Sequence, residues 1–166
     1  MKATALIGVL CAAGPAFAQQ DGAGAAPEEV ARFALETCVR ETPPEAMPPT
    51  GDFERVSEQQ GSATFAHPAG PVLTLARRDD VWSCRIEVPG AGQVWFDAAI
   101  RIVSPAMGER FDTEDFEQVE DGLVWDLVTP AGTALTTELR LREDGTVVFT
   151  SATAPSDPPN PDPQEE

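Results

Sequence analysis

The chain has 166 residues and carries 28 Asp plus Glu against 11 Lys plus Arg, a formal net charge of −17. A surface this acidic repels nucleic acid and anionic lipid, which sets nucleic-acid function aside. One lysine (Lys2), one histidine (His67) and no tyrosine leave little room within one chain for Schiff-base, phenolic or multi-histidine metal chemistry.

Residues 1–18, MKATALIGVLCAAGPAFA, read as a secretory signal peptide. Lys2 supplies the positive start, Ala5 to Ala13 the apolar run, and Ala16, Phe17 and Ala18 the small-x-small cleavage site. The run is too short to span a bilayer. An acylated lipoprotein cysteine wants a small residue before it, and Leu10 precedes Cys11, so lipid anchoring is the weaker reading. The expected product is periplasmic or secreted, with no membrane insertion after cleavage. Without Lys2, ten arginines face 28 acids, a net charge of −18. This acidity is read first as solubility, and only second as attraction for a cationic partner or divalent ions.

Residues 19–27 form a flexible lead in this reading, and residues 28–153 a single domain. Pro27 suits the first position of a helix, and Glu28 and Glu29 suit its positive end. The spacing predicts a helix over PEEVARFALETCVR, with Val30, Phe33, Ala34, Thr37 and Cys38 on one face. Glu36 and Arg40 stand at i, i+4 for an ion pair. Four prolines between Thr42 and Gly51 then stop the helix and make an extended connector.

Alternation predicts strands next. SATFA puts Ala63 and Phe65 on one face, and PVLTLAR puts Leu73 and Leu75 on one face. A short turn at Arg77 to Asp80 leads into VWSCRIEV, where Trp82, Cys84, Ile86 and Val88 point inward. Residues 92–105, GQVWFDAAIRIVSP, fit two periods. As a helix, Trp95, Ala98, Ala99, Ile102 and Val103 share a face, and Asp97 can pair with Arg101. As a strand, Phe96, Ala98, Ile100 and Ile102 align. The alanines and the Asp–Arg spacing favour the helix. A meander follows, with Leu123, Trp125 and Leu127 inward, then Leu135, Thr137, Leu139 and Leu141 inward, a hairpin turn at Glu143 to Gly145, and a returning strand. Residues 154–166 are proline-rich and acidic with no apolar anchor, so they are expected to be disordered. The sequence shows no internal repeat.

These elements give an α+β fold: an antiparallel sheet of five to seven strands, with one or two helices packed on one face. Cys38 and Cys84 are inward on a helix and a strand. Parity and an oxidising compartment join them as a structural disulfide between the layers, since no CxxC supports a redox role.

The most acidic stretch, Glu109 to Gly122, offers Asp112, Glu114, Asp115, Glu117 and Asp121 as candidate calcium ligands, with Glu120 beside them. Its spacing departs from the EF-hand pattern, and a solvated acidic loop and strand edge is the preferred reading. Carboxylates are numerous, but no pair stands out for hydrolysis, so no catalytic residue is assigned. Trp82, Trp95 and Trp125 are read as core rather than as an aromatic ligand floor, and His67, before Pro68, as a loop residue. No cofactor is implied. The functional expectation is a non-enzymatic binding or protein-interaction module of the cell envelope, with an unidentified envelope protein as partner. Calcium binding at Asp112 to Asp121 and a small carboxylate-dependent hydrolase are the alternatives.

Overall fold

The computed structural model describes residues 24–39, 50–111, 116–129 and 132–154. The expected leader, Arg40, most of the proline connector, and the tail from residue 155 lie outside these residues.

Two helices and an eight-stranded antiparallel sheet make an α+β fold. Helix α1 (Pro27–Ala34) starts at the expected proline and runs on into a π-helical turn (Leu35–Val39). Strands β1 (Glu54–Gln59), β2 (Ser62–Ala66), β3 (Val72–Arg78) and β4 (Val81–Val88) follow as a meander. Helix α2 (Gly92–Phe111) then crosses to the far edge, where β5 (Glu117–Val119), β6 (Gly122–Val128), β7 (Ala134–Leu141) and β8 (Val147–Thr153) form a second meander. The two meanders join through β4 and β8, giving the order β1-β2-β3-β4-β8-β7-β6-β5.

This order reads the same from either edge. Each half is one helix followed by four antiparallel strands, a repeat in topology that the sequence does not display. The halves share a detail of construction. In the first, the Arg77 N–H donates to the Gly61 carbonyl in the β1–β2 turn (2.7 Å); in the second, the Leu141 N–H donates to the Asp121 carbonyl in the β5–β6 turn (2.7 Å). A glycine permits each close approach: a Cβ on Gly61 would stand 2.5 Å from the Arg77 oxygen, and one on Gly122 would overlap the Leu139 oxygen.

The sheet has eight strands rather than five to seven. The strands that the sequence did not mark are the two edges: the three-residue β5, and β1, which is exposed at every residue and so shows no apolar alternation. Its length is interrupted by a bulge between Arg55 and Ser57, and Glu54, Arg55 and Glu58 charge the edge. Such features protect an edge strand from pairing with another chain.

Pairing register places the buried side chains in rows on one face. Leu75, Cys84, Ser151, Thr137 and Trp125 form one row across five strands; Leu73, Ile86, Phe149, Leu139 and Leu123 form the next. Trp82 and Trp125 are core residues as expected. Thr137 and Ser151, both fully buried, satisfy each other through their hydroxyls at 3.1 Å.

Both helices cover this same face. Residues 92–105 are helical, which removes the strand alternative, and the helix passes through Pro105 to Phe111. Its buried line is Phe96, Ala99, Val103 and Met107. Only Ala99 and Val103 of the expected face are in it; Trp95 and Ile102 are half-buried at its margin. The expected side-chain pair is also rearranged. Arg101 donates to the Asp97 main-chain oxygen (3.1 Å), while the Asp97 carboxylate accepts from Gln93 (2.8 Å). Trp95 Nε1 donates to the Ala25 carbonyl (3.1 Å), tying the buried end of the lead to α2.

In α1 the buried residues are Val30, Ala31 and Ala34, followed by Thr37, Cys38 and Val39 in the π turn. The wider turn brings Val39 inward. It leaves Phe33 half-buried, stacked on Phe53 with ring centroids 4.7 Å apart.

Candidate functional site

The face opposite the helices has no covering element among the described residues. Its side chains are those that point outward from alternating strands. Thr74, Ser83, Thr150 and Ala152 are small and half-buried and occupy the centre of the sheet. Two groups of three charges stand on this surface. Glu87 accepts from Arg85 (2.5 Å) and pairs with Arg142 (3.0 Å), a group of net charge +1. Arg140 donates to Glu138 (2.8 Å) and Asp121 (2.5 Å), a group of net charge −1. Hydrogen bonds to Glu138 and then Asp121 raise the Arg140 pKa further above its ordinary value, so this cation is permanent. Each group is partly exposed, so each contributes little to stability, about 1 kcal/mol or less per pair. Arg85 Nε is shielded from solvent and has no acceptor among the described residues.

The expected disulfide is present. Cys38 in the π turn is bonded to Cys84 in β4 across a sequence separation of 46 residues, with Cα atoms 5.3 Å apart. Both cysteines are fully buried, so the bond works as a staple between helix layer and sheet.

Of the candidate calcium ligands, Asp112, Glu114 and Asp115 lie outside the described residues. Glu117 is exposed on the short edge strand β5, and Asp121 is in the β5–β6 turn. Arg140 already holds the Asp121 carboxylate, placing a positive charge where a calcium site needs none. Glu109 belongs to α2 rather than to a loop.

Another set of possible metal ligands comes together from three separate segments. One ligand atom each from Glu29, Asp52 and His67 lies within 4.8 Å of the others. Sequence spacing carries no sign of this set, because only the folding of α1 against the β2–β3 turn brings it together. His67 is indeed in a turn: its N–H donates to the Pro71 carbonyl (2.8 Å), and its ring lies 5.1 Å from that of Phe53. Its Nδ1 accepts the Ala69 N–H at 3.1 Å. A neutral ring so placed carries its proton on Nε2, leaving no free lone pair for a metal. The tautomer therefore opposes ligation, and both carboxylates are exposed.

Two spaces remain. A gap of about 10 Å³ beneath the helices, lined by Ala31, Ala99, Leu139 and other apolar side chains, is no larger than a water and offers it no polar partner. A groove of about 450 Å³ runs between the first turns of α2, the β5–β6 turn and the end of β7. The carboxyl with a displaced pKa, Asp144 in the β7–β8 turn, is held below its usual range by the Thr146 main-chain N–H. A general acid needs the opposite shift.

No family model matches the chain, and no curated protein and no solved structure matches it either.

Proposed function

We propose that the chain is an exported, periplasmic or secreted protein that serves as a non-enzymatic binding module of the cell envelope, with the uncovered sheet face as its recognition surface. The observation that carries this reading is the asymmetry of the sheet. One face is buried under two helices, while the other presents half-buried small side chains beside two charge groups of opposite sign. Side chains fixed on strands by pairing lose little entropy when a partner covers them. The paired charges give a partner orientation more than affinity. Export is supported by the leader pattern of residues 1–18 and by the buried disulfide.

The test is capture of partners by the mature protein from its native envelope fraction, repeated with Thr74→Arg/Thr150→Arg. Both positions are outward and half-buried, so long charged side chains there obstruct the face without entering the core. One reproducible partner that the double variant loses is the expected result. Equal capture by both proteins would remove the open face as the site.

A further inference from the structure

The groove at the end of α2 lies on the covered side of the sheet and shares Asp121 and Arg142, at its rim, with the charge groups of the open face. Its apolar part is offered by half-buried Ile100 of α2 and Leu141 of the sheet, with Phe96 and Leu123 buried behind them. Its volume, about 450 Å³, is that of a small-molecule site rather than of a protein interface. The rim holds Glu120, Asp121, Arg142 and Glu143. Asp121 is paired with Arg140 at 2.5 Å and Arg142 with Glu87 at 3.0 Å, and the groups to which they belong, of net charge −1 and +1, offset each other. Glu120 and Glu143 are exposed. The first turn of α2 opposes them with roughly half a positive charge. The balance at the rim is negative, and the net charge of the whole chain adds to it.

From the apolar part and the surplus of negative charge we infer that this groove binds a small aliphatic cation. Its hydrocarbon chain lies on Ile100 and Leu141, and its ammonium group faces Glu120 and Glu143. No covalent step is involved. Glu120 has no sequence pattern that singles it out from its acidic neighbours, and Glu143 reads only as part of a hairpin turn. Their role arises because the β5–β6 and β7–β8 turns come together at one end of α2.

The experiment titrates the mature, disulfide-bonded protein with n-octylammonium below its micelle concentration and follows backbone amides by NMR. Saturable shifts centred on residues 93–100 and 118–123 are expected, with a dissociation constant on the order of 1 mM or below. Glu120→Gln/Glu143→Gln, at two exposed positions, should keep the melting curve and weaken binding about fivefold. Octanoate, of equal length and opposite charge, should bind at least about tenfold more weakly. Octanoate binding as tightly as octylammonium, absence of saturable shifts, or an unaffected double variant would each overturn the assignment. Tighter binding of the tripeptide amide Leu-Lys-Leu than of octylammonium would overturn the small-molecule ligand in favour of a partner's side chain.

Discussion

The two halves of the molecule share one topology and are held together by different means. In the first, a short helix ends in a π turn and is bonded covalently to the sheet through Cys38 and Cys84. In the second, a helix of 20 residues crosses the same face with no such bond among the described residues and is held by Phe96, Ala99, Val103 and Met107. The charges are divided as well. The Arg140 group and the groove belong to the second half, while the first contributes Arg85 and Glu87 and, at its margin, the stacked Phe33 and Phe53 with His67 tilted against Phe53. A repeated architecture thus needs no repeated side chains. A short helix buries too little to hold itself, and a disulfide offsets the difference; a long one buries enough.

The largest expected effect comes from breaking the covalent attachment. Cys38→Ala/Cys84→Ala should lower unfolding free energy by about 4 kcal/mol in the chain-entropy treatment of such a loop. Urea unfolding of the oxidised parent and the variant measures it. If burial alone holds α2, Met107→Ala should cost about 3 kcal/mol, because Met107 is fully buried at its far end. A loss of less than about 1 kcal/mol would mean that the second helix is fixed by something other than packing.

The part of this comparison that the sequence displays is the part that alternation or parity can carry. Trp82, Cys84, Ile86 and Val88 were legible because each second residue is apolar and the strand is covered on one face. The disulfide was legible from two inward cysteines in a chain that opens with a leader pattern. Strand β1 was not, because an edge strand exposed at every residue has no face to mark. The line of α2 was turned by one residue, since Trp95 and Phe96 are adjacent and both large, and only packing decides which is buried. Of the candidate site, the acidic stretch was visible, but the Asp121–Arg140 pair was not, as its members are 19 residues apart. The open face follows from the alternation; its charge groups follow from register, which periodicity does not supply.

Smaller effects sharpen the same contrast. Arg140→Gln, with a side chain about one-third exposed, should reduce stability by less than about 1 kcal/mol. Its larger expected consequence is on partner capture, since it releases Asp121 and Glu138 and makes the open face more negative. Calcium should leave the melting temperature of the parent unchanged if Arg140 blocks the acidic turn, and a rise on titration would restore the calcium reading.

The smallest effect is a pH dependence in the second half. The Thr146 main-chain N–H, then its side chain, hold the Asp144 carboxyl below its usual pKa of 3.8. A depressed carboxylate gives stability that is fully present above the unfolded value and is lost as pH falls through the folded one. Asp144→Asn should therefore differ from the parent more at pH 7 than at pH 3. Thermal melts at the two pH values measure this, and a constant difference would show that the turn does not depend on the charge.

The most direct measurement of the central claim is site-specific photo-crosslinking, which suits a chain with no lysine after residue 18. Benzoylphenylalanine is placed at Thr74 or Thr150 on the open face, and at Arg101 on the exposed side of α2 as a control. Crosslinks to one envelope protein from Thr74 and Thr150, and none to it from Arg101, are the result this account predicts. Crosslinks from Arg101 alone, or from none of the three positions, would contradict recognition through the uncovered sheet face.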